Sequence, residues 1–265
     1  MNNLHRELAP VSDEAWAQIE QEVARTFKRH LAGRRVVDVH GPGGETLAAV
    51  GTGRLHDAQS LAGGVQTWQR EVLQLLQLRV PFTLSRAEID AVSRGAQDAD
   101  WEPAKGAARL IALAEDSGVF DGYAAGGITG IIPGASNPPL ALPGAAAAYP
   151  DVLTSAVTQL REAGVDGPYA AALSADAYTM ASQASDHGYP VRRHIEEVLD
   201  GGLIWAPAIS GAVVLSLRGG DFSLHLGQDL SIGYDSHTST EVTLYLQESL
   251  AFQLVTTEAA VALTA

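Results

Sequence analysis

Apolar side chains recur at steps of three and four from Trp16 through Ile19, Val23 and Phe27 to Leu31. That spacing stacks them on one face of an α-helix, and the stripe reads as core packing. Ser12 or Asp13 can cap the start, Glu14 complements the positive end, and Lys28, Arg29 and His30 fill the last turn before Gly33. The period then shortens. VVDVHGPGGETLAAVGTGRL predicts a strand, a glycine-rich turn and a second strand, with HGPGGE lying between strands instead of opening a helix as a phosphate cradle would. The chain next runs out through Gly63-Gly64 and back, with Leu73, Leu75, Val80, Phe82 and Leu84 alternating. This is expected to be a long two-stranded excursion. An isolated hairpin is marginal in water, so it should rest on something else, such as another subunit.

Helical spacing returns over residues 85–125, where Ser85 precedes Ile89 and Val92, and Trp101, Leu110, Leu113 and Phe120 mark a second segment. PGASNPPLALPGAAAAYPD, residues 133–151, is nearly free of charge and reads as a connector between two lobes. Beyond it the pattern predicts a helix near 151–163, a strand near 169–173, and helices near 175–184 and 191–199. Val213, Leu215 and Leu217, the turn RGGD, then Phe222, Leu224 and Leu226 suggest a hairpin. In EVTLYLQESLAFQLVTT every even position from Val242 to Leu254 is apolar except Glu248. Such a strand would reach roughly 40 Å.

Composition narrows the function. The chain has 265 residues, 46 % of them hydrophobic and 18 % charged, which suits an ordered globular protein of one or two domains. The net charge of −14 argues against nucleic acid as a partner, because phosphate recognition draws on Lys and Arg. No apolar run suits a membrane span, and MNNLHRELAPVSDEAW has no signal-peptide core, so a cytoplasmic location is expected. There is no cysteine, no G-x-S-x-G, no H-E-x-x-H and no Walker loop. The densest cluster of titratable groups is SDHGYPVRRHIEE, residues 185–197. Pro190 keeps His187 and His194 from sharing a helix face, so no metal site is expected there. Taken alone, the stretch reads as an exposed loop followed by a solvated helix.

NNLHRELAPVSDEAWAQIEQEVARTFKRHLAGRRVVDV, RVPFTLSRAEID, DWEPAK, GVDGPY, SDHGYP, RGGDFSLHLGQDLSIGY and LYLQESLAFQ together resemble the encapsulin shell proteins. The resemblance runs from Met1 to the C-terminal strand. It implies an α+β fold of the tailed-phage major capsid protein type. Residues 1–47, 73–134 and 225–265 would form a peripheral domain with a spine helix, 48–72 an extended β-loop lying over a neighbour, and 135–224 an axial domain. The implied function is a shell protein, without catalysis of its own, that self-assembles into an icosahedral nanocompartment. The implied partners are further copies of the chain and a cargo enzyme, a dye-decolourising peroxidase or a ferritin-like iron-storage protein, held by its C-terminal targeting peptide.

The resemblance also implies sites. The loop matching SDHGYP would line a fivefold pore with Asp186, His187, Gly188 and Tyr189, whose rings would select passing small molecules by charge and width. The cargo peptide would dock on Ala24, Phe27, Arg34, Asp38, Leu230 and Ile232, although Phe27 and Ile232 equally suit buried core. Some relatives stack a flavin against a tryptophan where this chain has Ala87; Arg79 is retained but the aromatic platform is not, so no cofactor is expected. Two other readings remain. A true phage capsid protein is disfavoured by the acidic balance, and a hydrolase built on Asp186 and His187 by the missing nucleophile motif.

Overall fold

The computed structural model describes residues 3–186 and 188–264. Helix α1, Asp13–His30, begins where Ala15 N donates to Ser12 Oγ at 3.3 Å, and it buries Trp16, Ile19, Val23 and Phe27 as the stripe predicts. Strand β1, Asp38–His40, follows, and then the antiparallel pair β2, Ala49–Asp57, and β3, Trp68–Gln74. That pair is the predicted excursion. Its return strand ends at Gln74, however, and Val80, Phe82 and Leu84 belong to β4, Leu76–Ser85, which enters a larger sheet.

Helix α2, Arg86–Ser93, buries Ile89 and Val92. Helix α3, Glu102–Phe120, buries Phe120 but leaves Leu110 58 % exposed, and its inward stripe is Ala104, Ala107, Ala108, Ile111 and Ala112. Small side chains let α3 lie close to α1 without voids. The two helices run parallel. Trp101 Nε1 donates to Gln18 Oε1 at one end, and Asp116 accepts from the Ala32 and Gly33 amides, both at 2.7 Å, at the other. A Cβ at Gly33 would meet Asp116 Oδ1 at 2.9 Å, which explains the glycine there.

The connector is built into the fold. It holds a short helix α4, Ile131–Gly134, and strand β5, Leu140–Ala141, while Asn137 Nδ2 donates to the carbonyls of Glu258 and Ala260. Next come α5, Tyr149–Glu162, β6, Tyr169–Leu173, and α6, Ala175–Gln183. A two-residue-arm hairpin, β7, Ser185–Asp186, and β8, Tyr189–Pro190, leads into α7, Val191–Val198. The remaining strands are β9, Gly202–Trp205, β10, Ala212–Ser216, β11, Phe222–Leu226, β12, Ser231–His237, β13, Glu241–Leu254, and β14, Ala260–Thr264.

These strands make two five-stranded sheets. In the first, β13 is the spine: it pairs with β4 on one side and with β12 and β11 on the other, and β1 joins β11 in parallel. The second has the order β5-β14-β10-β6-β9. The predicted hairpin at RGGD is therefore wrong. β10 lies in the second sheet and β11 in the first, so RGGD carries the chain between them. All five residues of β10 are buried and both its edges are paired, to β6 and β14, and that long-range pairing overrides the local alternation. The crossing is shaped by Gly219 and Gly220, at φ 84° and 80°, and pinned by Arg218, which grips Asp221 with two hydrogen bonds. β14, expected with the strands of residues 225–265, also joins the second sheet.

One apolar cluster packs α1, α2 and α3 on the Val242, Leu244 and Leu246 face of β13. A second surrounds the second sheet with α5, α6 and α7 and reaches Leu224, Leu250 and Phe252 of the first. Among the described residues no helix is long and apolar enough to cross a membrane.

Candidate functional site

The C-terminal half of α1 forms one wall of a groove of about 690 Å³. Ala24, Phe27, Lys28 and Leu31 line it from the helix, Arg34 and Arg35 from the turn that follows, and Asp229 and Leu230 from the segment entering β12. Of the six docking residues read from the sequence, the structure thus brings four together: Ala24, Phe27, Arg34 and Leu230. Ile232 stands beneath them, 5 % exposed, paired with Leu246 and packed in the same cluster as Phe27. Asp38 lies elsewhere; its carboxylate accepts from the Gly220 amide at 2.6 Å and supports the crossing between sheets.

Arg34 is the least free of these residues. Its Nε and Nη2 grip Glu115 at 2.6–3.1 Å, Nη1 donates to Asp229 at 2.8 Å, and Nη2 lies 3.2 Å from Glu248. Glu115 and Glu248 are fully buried, and Arg34 is 18 % exposed. Burial opposes the guanidinium charge, but the bonds to Glu115 and Asp229 outweigh it and hold Arg34 above its usual range. Glu248 is pushed far above the carboxylate range, chiefly by burial and then by the Glu115 charge. Burial pushes Asp116 up to about 7, against the Gly33 and Ala32 amides that favour its ionised form. Burial thus favours the protonated form of Glu248, while Arg34 is held chiefly by its bonds to Glu115 and Asp229.

Lys28, Leu31, Arg35, Asp229, Glu115 and Glu248 were not anticipated. One signal existed: Glu248 is the single break in the even-position apolar run of β13, where only a paired or protonated acid is tolerable.

Of the second predicted site, His187 and the side chain of Asp186 lie outside the described residues. Gly188 takes φ 85°, as the hairpin turn requires, and Tyr189 is exposed and stacked on His194 at 4.6 Å between ring centroids. Ala87 is exposed in the first turn of α2, and Arg79 is engaged by Gln247 and by the Tyr245 ring, 3.9 Å away. Among the described residues no three His, Asp or Glu side chains converge as metal ligands.

A family profile described as "Encapsulating protein for peroxidase" (Linocin_M18) matches residues 1–251. The chain belongs to the encapsulin shell family. It is 58 % identical over 264 residues to the type 1 encapsulin shell protein of Mycobacterium tuberculosis, covering all of both chains. It is 57 % identical over 263 residues to that of Rhodococcus erythropolis, covering 99 % of this chain and all of the relative. Its fold matches a virus-like particle from Pyrococcus furiosus with a TM-score of 0.67 at 17 % identity, covering 94 % and 99 % of the two chains. The match to the Microbacterium phage Oxtober96 structure has a TM-score of 0.60 at 11 % identity, covering 89 % and 91 %. The shell protein therefore has the α+β capsid fold expected from its sequence, and its role is structural, not enzymatic.

Proposed function

We infer that the shell protein assembles with copies of itself into a closed icosahedral compartment in the cytoplasm and encloses a peroxidase-type cargo. The first sheet with α1–α3 serves as the peripheral domain, the second sheet with α5–α7 as the axial domain, and β2–β3 as the extended loop. The observation that carries the cargo reading is the groove beside α1. Its walls are apolar at Ala24, Phe27, Leu31 and Leu230, while Arg34 is neutralised from below and Asp229 stays half-exposed at the rim. An extended peptide can bury apolar side chains there and meet one carboxylate and the Lys28 ammonium. The profile's description names peroxidase encapsulation, which supports the peroxidase reading of the cargo.

The test replaces two groove residues outside the fully buried core, exposed Ala24 and half-buried Leu230, the second of which also packs against the core edge. Ala24→Glu and Leu230→Asp should lower co-purification of a tail-bearing peroxidase at least tenfold while particles of unchanged size form. Normal loading of both variants would place the docking site elsewhere.

The SDHGYP loop is proposed as the pore rim. His187, repeated around a fivefold axis, would gain up to five like charges on mild acidification, since an unperturbed histidine titrates near pH 6.5. Particle reconstructions at pH 7.5 and 5.5 should show the loop widening in wild type and not in His187→Ala. Identical rims in all maps would make the loop a passive edge.

A further inference from the structure

The opposite flank of α1 carries a second groove, of about 380 Å³, and its chemistry is unlike that of the first. Arg25, Thr26, Arg29 and His30 line it from α1, Glu102, Lys105, Gly106 and Arg109 from α3, and Trp205 closes one end. Four cations face a single lining carboxylate in a chain whose net charge is −14. One of the chain's two lysines, Lys105, stands here on α3, and the other, Lys28, is on α1. Two of the four cations are answered: Arg25 by Glu22, and Lys105 by Glu102 at 2.6 Å. Arg29 and Arg109 have no hydrogen-bond or ion-pair partner among the described residues.

The parallel packing of α1 and α3 aligns these groups. With Gln18 level with Trp101 and Gly33 with Asp116, Arg25 stands level with Arg109, Lys105 one turn before it and Arg29 one turn beyond. The cations therefore form a strip about 12 Å long down the seam between the helices. At its end His30 and Trp205 pack with ring centroids 5.5 Å apart, and His30 Nδ1 donates to the Thr26 carbonyl at 2.8 Å, which leaves Nε2 free. Like charges held along one seam cost stability unless an anion compensates them.

We propose that this groove binds a phosphate group, with Arg29 and Arg109 as its principal contacts. A monocarboxylate would neutralise only one of the uncompensated charges, whereas a phosphate dianion meets two. The guanidinium fork matches its oxygens in bidentate fashion, and His30, whose Nδ1–H is committed to Thr26, can add a bond from Nε2 only as the imidazolium. The phosphate can arrive free or on a nucleotide, whose base would stack on Trp205. The site is independent of the cargo groove, since no lining residue is shared.

The experiment uses assembled full-length particles and equilibrium dialysis of inorganic phosphate and of adenosine monophosphate, at constant ionic strength in chloride. Wild type and Arg94→Gln, which alters an exposed arginine outside the groove, should bind phosphate equally. Arg29→Gln combined with Arg109→Gln should lose at least tenfold in affinity while particle size is unchanged. Tighter binding of the nucleotide, abolished by Trp205→Leu, would identify a nucleotide source; equal binding of both would identify free phosphate. Undiminished binding in the double variant, or binding that chloride screens equally in every variant, would overturn the proposal. So would a double variant that fails to assemble while wild-type particles bind no phosphate, because the groove would then belong to a neighbouring copy.

Discussion

Arg34→Met is expected to destabilise the subunit by about 3–5 kcal/mol, the usual cost of removing one partner from a buried charge pair. That is a large part of a typical domain's total stability, about 5–15 kcal/mol. The reason lies under the groove and not in it: without the guanidinium, Glu115 is left as a buried carboxylate beside Glu248, with only Asp229 nearby and also acidic. Arg34→Glu should fare worse, so loss of cargo in that variant would report misfolding. Adding Glu115→Gln and Glu248→Gln to Arg34→Met removes the stranded charge and should restore most of the loss. The pH dependence has a defined sign. Asp116 is raised to about 7 in the folded chain and Glu248 is raised further, so the folded state holds protons that the unfolded state releases above about pH 4. Their contribution is fully present below the unfolded values and lost as pH rises, for Asp116 through about 7. Glu248→Gln should therefore flatten the decline in stability between pH 5 and 8, by on the order of 1–3 kcal/mol. Thermal and urea unfolding at pH 5, 7 and 8 measures both effects. Unchanged stability in Arg34→Met, or an unchanged pH slope in Glu248→Gln, would contradict this account of the groove floor.

The second large effect should appear in assembly. Leu55 lies opposite Arg70 across β2–β3, which puts it on the same face of the ribbon as Trp68 and Val72. These three are 58 %, 51 % and 46 % exposed. Fully burying a large apolar side chain is worth about 1.5–3 kcal/mol, and a shell repeats that gain at every subunit contact. Leu55→Asp with Trp68→Asp should therefore yield folded subunits or small oligomers with unchanged far-ultraviolet dichroism, in place of megadalton particles. Mass photometry decides it. Full particle formation by the double variant would mean that this face is not covered by a neighbour.

How much was legible in the sequence depends on the range of the interaction. The α1 stripe, α5, α7 and the long β13 were all readable, because a period of 3.6 or 2 is a property of neighbouring residues and needs only one covered face. Among the apolar markers of α3, Trp101 and Phe120 are buried but Leu110 faces outward. Leu110 is more apolar than Ala107 or Ala108, yet close approach of two helices selects small side chains, and the sequence does not say how near the partner comes. The lining of the groove was half legible for the same reason. Ala24, Phe27 and Arg34 lie within one helix and its following turn, so their proximity follows from local structure. Placing Asp38 outside the groove and Ile232 beneath it required the sheet order and the register of β12 on β13.

By itself the sequence determined the longer helices, the long strand β13, the exposed excursion and, through long matching motifs, the shell-protein family. Only the tertiary structure decided that β10 and β11 part company at RGGD, because strand pairing is settled by partners from distant residues, β6 and β14 on one side and β13 on the other. It likewise decided the charge of the groove floor. Arg34 finds Glu115, Asp229 and Glu248 at separations of 81, 195 and 214 residues. Burial then sets which of those acids keeps its proton. Charge neutralisation and desolvation act through space, so neither is written in any window of the chain.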